Sequence, residues 1–437
     1  MLVTVTSAAD QACFARRARL IRIIAGGFAH CRRNLARLLF ILVALSALPL
    51  TGLARQDFDA LDRDFRAMLE AERIPGAAWA LVQDGEITHA GAFGQRGNGG
   101  EPVTPETVFR LASVSKTFAA QLTAQLVSEG VLHWADPVRR YVPQFTLARP
   151  EHAERLTLEH LLGQSTGIVP NAYDNLLNAG HTLDEILPQF ERVEPFCAPG
   201  DCYTYQNVLF SLVEPAIEAS TGRSYSDLLR ERFFEPLEMR QASVGLADFR
   251  AQANRAAPHV RVTRNRWVPV AVNENYYRVA PAAGVNASAV DLGHWLAAQM
   301  GHRPDVIRPE GMLALTRKRV RTTRELRREG WRDFLGDAHY GLGWRIYTVG
   351  DQDLITHSGW VRGFVAQVGY SPAHNVGLAL LLNAESAAIN DLSLHFWRQL
   401  FEEPSLLASS GRSSAAGFSA SSVSLSAPDC STASSRP

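Results

Sequence analysis

The chain has 437 residues, of which 46% are apolar and 20% charged, proportions that are ordinary for a globular protein. Its 44 basic and 44 acidic side chains cancel to a formal net charge of zero, which excludes the strongly basic balance typical of nucleic-acid-binding proteins. The five cysteines form no C-x-x-C pair and no zinc-ligand spacing with histidine, so we predict neither a metal centre nor a cofactor.

The first segment is typical of an export signal. Residues 1–37 contain seven arginines and one acidic residue, and the uncharged stretch 38–50 that follows is almost wholly apolar. Small residues at Gly52 and Ala54 then supply a cleavage-type site. We therefore predict that 1–54 is an N-terminal extension, that the protein is exported to the periplasm and that no stable membrane span remains after processing. If the signal is not cleaved, the protein stays tethered to the membrane.

The next elements in chain order are a helix and a hairpin. Apolar residues between Phe58 and Leu69 recur on one helical face, which predicts an amphipathic helix. Residues 77–83 and 86–93 are predicted to be two strands around an Asp-Gly turn. The middle of the chain favours helices and loops. Strand patterns then return before a last helix over residues 389–400, and they cover residues 340–349, 353–357, 363–370 and 376–382.

Strands at both ends with helices between them predict an α+β fold. We expect one antiparallel sheet from both chain ends, flanked by helices, with a largely helical inserted subdomain. The folded part is predicted to be 55–403, divided into a discontinuous α/β part, 55–112 and 335–403, and a helical part, 113–334. The tail 404–437 is rich in serine and alanine and is predicted to be disordered. A site is expected in the groove between the two parts.

Ser113 and Lys116 are the strongest catalytic candidates. They follow an extended stretch and are predicted to open a helix, where residues three apart share a face. The chain has only two lysines, Lys116 and Lys318, although lysine and arginine together number 44. A partly buried lysine can give up its proton and arginine cannot, so this spacing indicates a base that activates a serine hydroxyl. The alternative is that Ser113 caps the helix and Lys116 lies on the surface.

A second acid–base group and an amide are expected near such a serine, and two Tyr-x-Asn triplets offer them. The triplet at 173–175 lies in a polar loop, whereas Tyr205 to Asn207 follows a Pro-Gly turn and leads into an apolar run. Neither triplet is specific by itself. His357-Ser358-Gly359 lies at the end of a predicted strand, where a glycine at a strand edge leaves room for a substrate backbone.

Two further patterns favour simpler interpretations. Residues 163–167 match G-x-S-x-G, the nucleophile elbow of α/β-hydrolases, but a helix rather than a strand is predicted before them. Residues 317–328 hold seven basic residues and one acidic residue. Such runs are usually solvated faces, and the alternative is a binding site for an anionic partner.

Cys197 and Cys202 flank a Pro-Gly turn that could bring them together. In an oxidising compartment, we predict that they form a disulfide that braces the loop before Tyr205.

Three motifs together resemble the class C β-lactamase and penicillin-binding-protein family of serine hydrolases: Ser113-x-x-Lys116, Tyr205-x-Asn207 and His357-Ser358-Gly359, in this order and at these separations. Further landmarks, such as Tyr340 to Trp344, extend the resemblance from about Asp57 to Glu403. It implies the β-lactamase/transpeptidase-like fold.

The resemblance also implies roles for these residues. Ser113 would be the nucleophile, with Lys116 as its proton partner and Tyr205 exchanging protons with Ser113 and the leaving group. The choice of base between Lys116 and Tyr205 stays open. Asn207 would hold the substrate amide, the backbone N–H groups of Ser113 and Trp360 would form an oxyanion hole, and the triplet 357–359 would border the substrate.

The predicted function is hydrolysis of an ester or amide bond through an acyl-enzyme. The substrate would be a small molecule or short peptide, peptidoglycan fragments included. Many lactamases of this class have lysine at the position of His357, so an esterase or DD-peptidase-like activity is favoured over the alternative, a class C-type β-lactamase. A second alternative is a non-catalytic cell-wall-binding protein. Since histidine has an unperturbed pKa of about 6.5, we expect carboxylated substrates to react faster as the pH falls from about 8 to 6.

Overall fold

The computed structural model describes residues 51–264 and 266–402, with side chains from Asp59 onward. The basic and apolar parts of the predicted export signal and the predicted tail 404–437 lie outside the described residues. Chain contacts define one compact unit, Asp57–Leu406, and a second that holds the two chain ends. All candidate residues named above lie in the first unit. None of the helices in the described ranges is both long and apolar enough to cross a bilayer.

The strands are β1 (Gly76–Gln83), β2 (Glu86–Gly94), β3 (Phe109–Arg110), β4 (Ser243–Val244), β5 (His259–Thr263), β6 (Arg266–Pro269), β7 (Val285–Ala287), β8 (Val320–Arg321), β9 (Asp337–Tyr340), β10 (Arg345–Val349), β11 (Gln352–Val361), β12 (Phe364–Ser371) and β13 (Val376–Leu382). The helices are α1 (Thr51–Ala71), α2 (Ser115–Ser128), α3 (Pro150–Arg155), α4 (Leu158–Leu162), α5 (Asp174–Asn178), α6 (Leu183–Ile186), α7 (Val213–Thr221), α8 (Tyr225–Leu229), α9 (Leu246–Ala251), α10 (Ala280–Ala283), α11 (Ala289–Gln299), α12 (Pro309–Thr316) and α13 (Ala388–Glu402).

An eight-stranded antiparallel sheet runs in the order β2-β1-β13-β12-β11-β10-β9-β8. The N-terminal and C-terminal strands of the folded part meet near one edge of the sheet, where β1 pairs with β13 and Ala80 lies opposite Ala379. All residues of β12 and β13 are buried, which is the pattern of a sheet covered on both faces. The predicted α+β fold, with an antiparallel sheet from both chain ends flanked by helices, is therefore confirmed.

Helices cover both faces of this sheet. On one face, α1 packs with Phe65 edge-on against Trp79, and a hydrogen bond of 3.0 Å between His395 and Asp64 joins α13 to α1. On the other face, α11 packs against β1, β2 and β13. Both α11 and β8 lie in the segment 113–334, which the sequence assigns to the helical part. β8 is the edge strand of the large sheet, and α11 covers the second face of that sheet, which needs an apolar cover.

The prediction of a single strand over residues 340–349 is wrong. The segment contains the last residue of β9, a turn and the whole of β10, and Tyr340 pairs with Arg345 across the hairpin. Gly343 has a φ of 70° in the turn between them. A Cβ at Gly343 would lie 2.6 Å from the carbonyl oxygen of Lys116, so the glycine allows this hairpin to pack directly on α2.

Four short strands of the inserted segment, β4, β5, β6 and β7, are not revealed by the sequence pattern, whereas β3 falls in the extended stretch expected before Ser113. β3, β7 and β4 form a small sheet, and β5 pairs with β6. β3 leads directly into the turn that carries Ser113, and its Phe109 pairs with Ala287 of β7. This small sheet therefore fixes the chain just before the candidate nucleophile.

Candidate active site

Ser113 lies in a single 3₁₀ turn, Ala112–Val114, and α2 begins two residues after it. The prediction that Ser113 opens the helix is therefore off by one short turn. Ala112 has a φ of 49°, in the left-handed region that alanine rarely adopts. Such a residue costs on the order of 1 kcal/mol and is held by its surroundings. Ser115 helps to fix the turn that contains Ala112, because the Ser115 hydroxyl accepts a 2.9 Å hydrogen bond from the amide of Val285 in β7.

Lys116 is completely buried one turn after Ser113. Its ammonium donates to Ser113 Oγ at 3.3 Å, to Asn207 Oδ1 at 2.7 Å and to the carbonyl of Ala282 at 3.1 Å. It also lies 4.8 Å from the ring centre of Tyr205. The structure therefore brings four of the predicted residues together, and the surface interpretation of Lys116 is wrong.

The two candidate bases have opposite pKa shifts. Burial lowers the pKa of Lys116 well below its usual value, and this outweighs the attraction of the Asp174 carboxylate, while the charge of Arg345 lowers it further. Burial raises the pKa of Tyr205 well above its usual range, and Arg345 and a hydrogen bond with Ser113 offset only part of the rise. Lys116 loses its proton more readily than an ordinary lysine, and Tyr205 keeps its proton.

Asp174 is a site residue that the sequence analysis does not identify. Its Oδ2 accepts a 2.7 Å hydrogen bond from Asn207 Nδ2. The acceptor Asp174 at Nδ2 and the donor Lys116 at Oδ1 together fix which way the Asn207 side chain points. A hydrogen bond with Tyr276 also holds the carboxylate, although burial raises the pKa of Asp174. The sequence contains one signal for this residue, the polar triplet 173–175. The triplet contributes its middle residue to the site, and not the tyrosine or the asparagine for which the motif is considered.

The outer members of that triplet do not reach the site. Tyr173 donates a 2.6 Å hydrogen bond to the carbonyl of Gln189 and packs edge-on against Phe190. Asn175 is exposed. The Tyr-x-Asn motif beside Ser113 is therefore the one at 205–207.

The G-x-S-x-G segment holds the chain around Tyr205 and lacks the preceding strand that a nucleophile elbow requires. It follows a helix, α4, and Ser165 is only 7% exposed. Gln164, with a φ of 53°, accepts from the amide of Gln206 at 2.6 Å and donates to its carbonyl at 3.1 Å. Its backbone carbonyl accepts from the amide of Thr204 at 2.7 Å. These bonds hold the chain on both sides of Tyr205.

A disulfide joins Cys197 and Cys202, whose Cα atoms are 6.3 Å apart. The bridged loop is attached to the G-x-S-x-G segment, because Phe196 donates to the carbonyl of Gly167 at 3.0 Å and Gly200 donates to that of Ser165 at 2.8 Å. The bridge thus braces the segment that leads into Tyr205.

The other wall of the site is the end of β11. β12 pairs with β11 as far as Val361, whereas β10 pairs with it only as far as Thr356, so no described strand pairs with residues 357–361 on that side. A Cβ at Gly359 would lie 2.8 Å from the amide nitrogen of Ser113 and would clash with the carbonyl of Leu111. Glycine therefore allows the strand to approach Ser113 at the position where the resemblance locates the oxyanion hole.

Trp360 would contribute to that oxyanion hole through its backbone N–H group. Its side chain is 48% exposed, and its indole donates to Glu385 at 3.2 Å.

His357 is completely buried. Its Nε2 lies 3.0 Å from the hydroxyl of Tyr340, and its Nδ1 lies 2.9 Å from the carbonyl of Ser358. Burial lowers the pKa of His357 well below its usual value, and the charges of Arg345 and Lys116 lower it further. This shift favours the neutral imidazole at neutral pH, so it argues against the expectation that carboxylated substrates react faster as the pH falls from about 8 to 6.

A cavity of about 1070 Å³ opens beside these residues. Tyr203, Tyr205, Ser358 and Trp360 line it, and so does the segment 320–325 with its flanking arginines. The basic run of the sequence thus reaches the candidate site. Within the described ranges, no group of three or more histidine, cysteine or acidic residues is placed to hold a metal ion.

Several known proteins are similar to this chain. A curated relative, the unguisins hydrolase ungD' of Aspergillus campestris, is 26% identical over 347 residues, which cover 75% of this chain and 62% of the relative. The protein flp of Staphylococcus aureus is 24% identical over 345 residues, which cover 76% of this chain and 64% of the relative. The chain thus spans less than two thirds of the length of these relatives.

Two solved structures share the fold. The octameric penicillin-binding protein homologue from Pyrococcus abyssi has a TM-score of 0.70 at 24% identity and covers 79% of this chain and 78% of its own. The D-stereospecific amidohydrolase from Streptomyces sp. has a TM-score of 0.62 at 20% identity and covers 78% and 98%. The sequence model of the beta-lactamase family matches residues 61–394, most of the folded part. The chain belongs to the beta-lactamase family and has its β-lactamase/transpeptidase-like fold.

Proposed function

We propose that this protein is a serine hydrolase that forms an acyl-enzyme on Ser113 from an ester or amide of a small molecule or short peptide. The observation that carries the proposal is the position of the Lys116 ammonium, 3.3 Å from Ser113 Oγ and completely buried. A buried lysine with a lowered pKa beside a serine hydroxyl is an arrangement that activates the hydroxyl.

In this mechanism Lys116, in its neutral form, takes the proton of Ser113 as Oγ attacks the carbonyl carbon. The backbone N–H groups of Ser113 and Trp360 stabilise the oxyanion, each contributing roughly 3 kcal/mol. Tyr205, which keeps its proton and hydrogen-bonds with Ser113, passes that proton to the leaving group as the scissile bond breaks. The proton held by Lys116 restores the tyrosine. Water then attacks the acyl carbon, gives its proton back through the same groups and frees Ser113.

The neutral state of His357 bears on substrate choice. A β-lactam or a D-Ala-D-Ala peptide carries a carboxylate next to the scissile amide, and a permanent charge at this strand position would stabilise it. The buried imidazole offers none. We therefore expect esters and small peptides, D-amino-acid amides included, to be hydrolysed faster than cephalosporins. The names of two similar proteins support this proposal: a hydrolase of unguisins supports a hydrolytic activity, and a D-stereospecific amidohydrolase supports an amide as the substrate. Export to the periplasm remains a prediction from residues 1–54.

Labelling with a fluorophosphonate probe tests the proposal, because only an activated nucleophile reacts. The wild-type protein should be labelled on Ser113, Ser113→Ala should not react, and Ser165→Ala is the matched control that should still react. Incubation with a penicillin, a D-Ala-D-Ala peptide and a short-chain ester, followed by product analysis and adduct mass, then gives the substrate class. Labelling of Ser165, or of Ser113→Ala, would overturn the assignment, and a wild-type protein that reacts with nothing would be a binding protein.

A further inference from the structure

The cavity beside Ser113 has a strongly basic lining, and its charged members are Arg321, Arg324, Arg327, Arg328, Arg345, Asp201 and Glu325. Five of these are arginines and two are carboxylates, so the lining is cationic. Because Tyr205 and Ser358 line the same cavity, the part of a substrate that extends from the scissile bond lies near these arginines.

Some of these charges are already satisfied by protein groups. Arg321 Nε lies 2.8 Å from Asp337. Glu325 accepts a 3.0 Å hydrogen bond from the hydroxyl of Tyr347 and lies 3.8 Å from both Arg328 and Arg345. This glutamate therefore faces several donors at once, and it is not available to neutralise the rest of the lining.

Two arginines of the lining have no ion pair with a described residue, and a third, Arg345, is only partly satisfied by Glu325. Arg324 and Arg327 are exposed, and neither forms an ion pair with any residue that the structure describes. The side chain of Arg345 is only 15% exposed, and its Nη1 atom is buried without a hydrogen-bond partner among the described residues. Buried donors are rarely left unsatisfied, and Arg345 lines the cavity, so its guanidinium has hydrogen-bonding capacity left on this side of the site.

Resting on the proposed function, we infer that these three arginines, which we call the arginine wall (Arg324, Arg327 and Arg345), bind a carboxylate on the substrate at a distance from the scissile bond. Guanidinium groups bind carboxylates through paired, charge-assisted hydrogen bonds. The cleft then distinguishes substrates by where their charge lies. A carboxylate next to the scissile bond meets the neutral His357, whereas a remote carboxylate meets the arginine wall.

Matched pairs of esters test this inference. The p-nitrophenyl monoesters of adipic and suberic acid carry a terminal carboxylate, and the p-nitrophenyl esters of hexanoic and octanoic acid have the same chain lengths without it. A second pair, phenyl hexanoate and 4-carboxyphenyl hexanoate, moves the charge to the leaving group and so identifies which half of the substrate meets the wall. The quantity measured is the ratio of kcat/KM for the charged to the neutral ester, with spontaneous hydrolysis subtracted.

The ratio for one of these pairs should exceed one in the wild type and should fall about tenfold in the double variant Arg324→Gln/Arg327→Gln. High salt should lower it in the wild type because these charges are exposed. Arg317→Gln is the matched control: it removes an exposed charge from the same basic run, outside the cavity lining, and should keep the ratio. As a measurement free of variants, suberate should inhibit wild-type hydrolysis of the neutral ester, and salt should relieve the inhibition.

Equal ratios of kcat/KM for charged and neutral esters in the wild type and the double variant would overturn the arginine wall. An equal fall of this ratio in Arg317→Gln would also overturn it, and so would a lack of inhibition by suberate. Its failure is distinguishable from failure of the proposed function. If the fluorophosphonate labels Ser113 and neutral esters are hydrolysed, a flat ratio refutes the wall alone. If the wild type neither labels nor hydrolyses any ester, the proposed function itself is refuted.

Discussion

Lys116 and Arg324 have the same formal charge and serve the same cleft, but the protein surrounds them in opposite ways. Lys116 is completely buried, and three oxygens accept from its ammonium. Arg324 is exposed on a cavity wall, with no ion pair to a described residue. Burial lowers the proton affinity of the first and fixes its position, which suits proton transfer. Exposure leaves the second permanently charged and adaptable, which suits recognition.

The largest effect should come from giving the buried position a cation that cannot lose its proton. Lys116→Arg should lower kcat/KM for a short-chain ester by about a hundredfold or more, the size of a lost acid–base contribution. The positive charge is kept, so a loss of this size would show that proton transfer is what the buried site provides. Steady-state kinetics on the purified protein measure it.

The chain offers one matched control for that variant. Lys318, the only other lysine, is partly exposed and pairs with Asp353 at 2.8 Å. Lys318→Arg should leave the rate within about twofold of the wild type, as is usual for an exposed ion pair. If Lys116→Arg retains activity within a few-fold, Lys116 acts only as a charge, and the contrast between the buried and exposed cations disappears.

A smaller effect is expected from Asp174, which influences the buried cation through Asn207. Asp174→Asn should lower kcat/KM about tenfold because the amide of Asn207 loses its charged acceptor. The attraction of the carboxylate raises the pKa of Lys116. Its removal should therefore lower that pKa further and move the acid limb of the pH profile of kcat/KM towards lower pH.

The pH profile separates positioning through Lys116 from a loss of folding, because a merely structural defect would lower the rate at every pH. Asp184→Asn, at an exposed carboxylate on α6, is the control and should change neither quantity. An acid limb that stays in place, or that moves towards higher pH, would show that Asp174 does not act on Lys116.

The two regions also differ in how well the sequence predicts them. The reactive group depends on local spacing: Ser113 and Lys116 lie one turn apart, and that pattern is visible in a row of letters. Their partners Asp174, Asn207 and Ala282 come from distant segments, and only the fold brings them together. The triplet at 173–175 therefore indicates the right loop without indicating which of its residues is used.

The fold shows the same division. The strand patterns at the chain ends predict the central sheet correctly, because alternating or continuous apolar runs directly reflect burial. The break between β9 and β10 is missed because Gly343 is set by the approach of α2, a tertiary constraint. Likewise, the basic run is indistinguishable from a solvated face until the structure shows that Arg324 and Arg327 line a cavity.

The loop that lies between the two regions should contribute mainly to stability. Cys202 and Tyr203 line the cavity, while Tyr205 reaches Ser113. Replacing both Cys197 and Cys202 by serine should lower the free energy of unfolding by about 2 kcal/mol, the expected value for closing so short a loop. Urea unfolding at equilibrium measures the change, and peptide mass analysis of the unreduced protein tests for the bridge itself. Two free thiols at these positions in exported protein would contradict the disulfide.

The smallest expected effect concerns His357, a group that could carry charge but is kept neutral. Burial and the charges of Arg345 and Lys116 lower the pKa of His357 well below 6.5, so we expect the imidazole to stay neutral between pH 8 and pH 6. The ratio of kcat/KM for a cephalosporin to that for a short-chain ester should therefore stay constant over this range. Any loss of the base affects both substrates and cancels in the ratio, and arginines do not titrate there. His357→Lys should raise the ratio at pH 7, whereas the neutral variant His357→Gln should keep it flat with pH. A wild-type ratio that climbs as the pH falls through 6.5, and that His357→Gln makes flat, would show that the imidazole titrates in the site and that charge recognition is shared between His357 and the arginine wall.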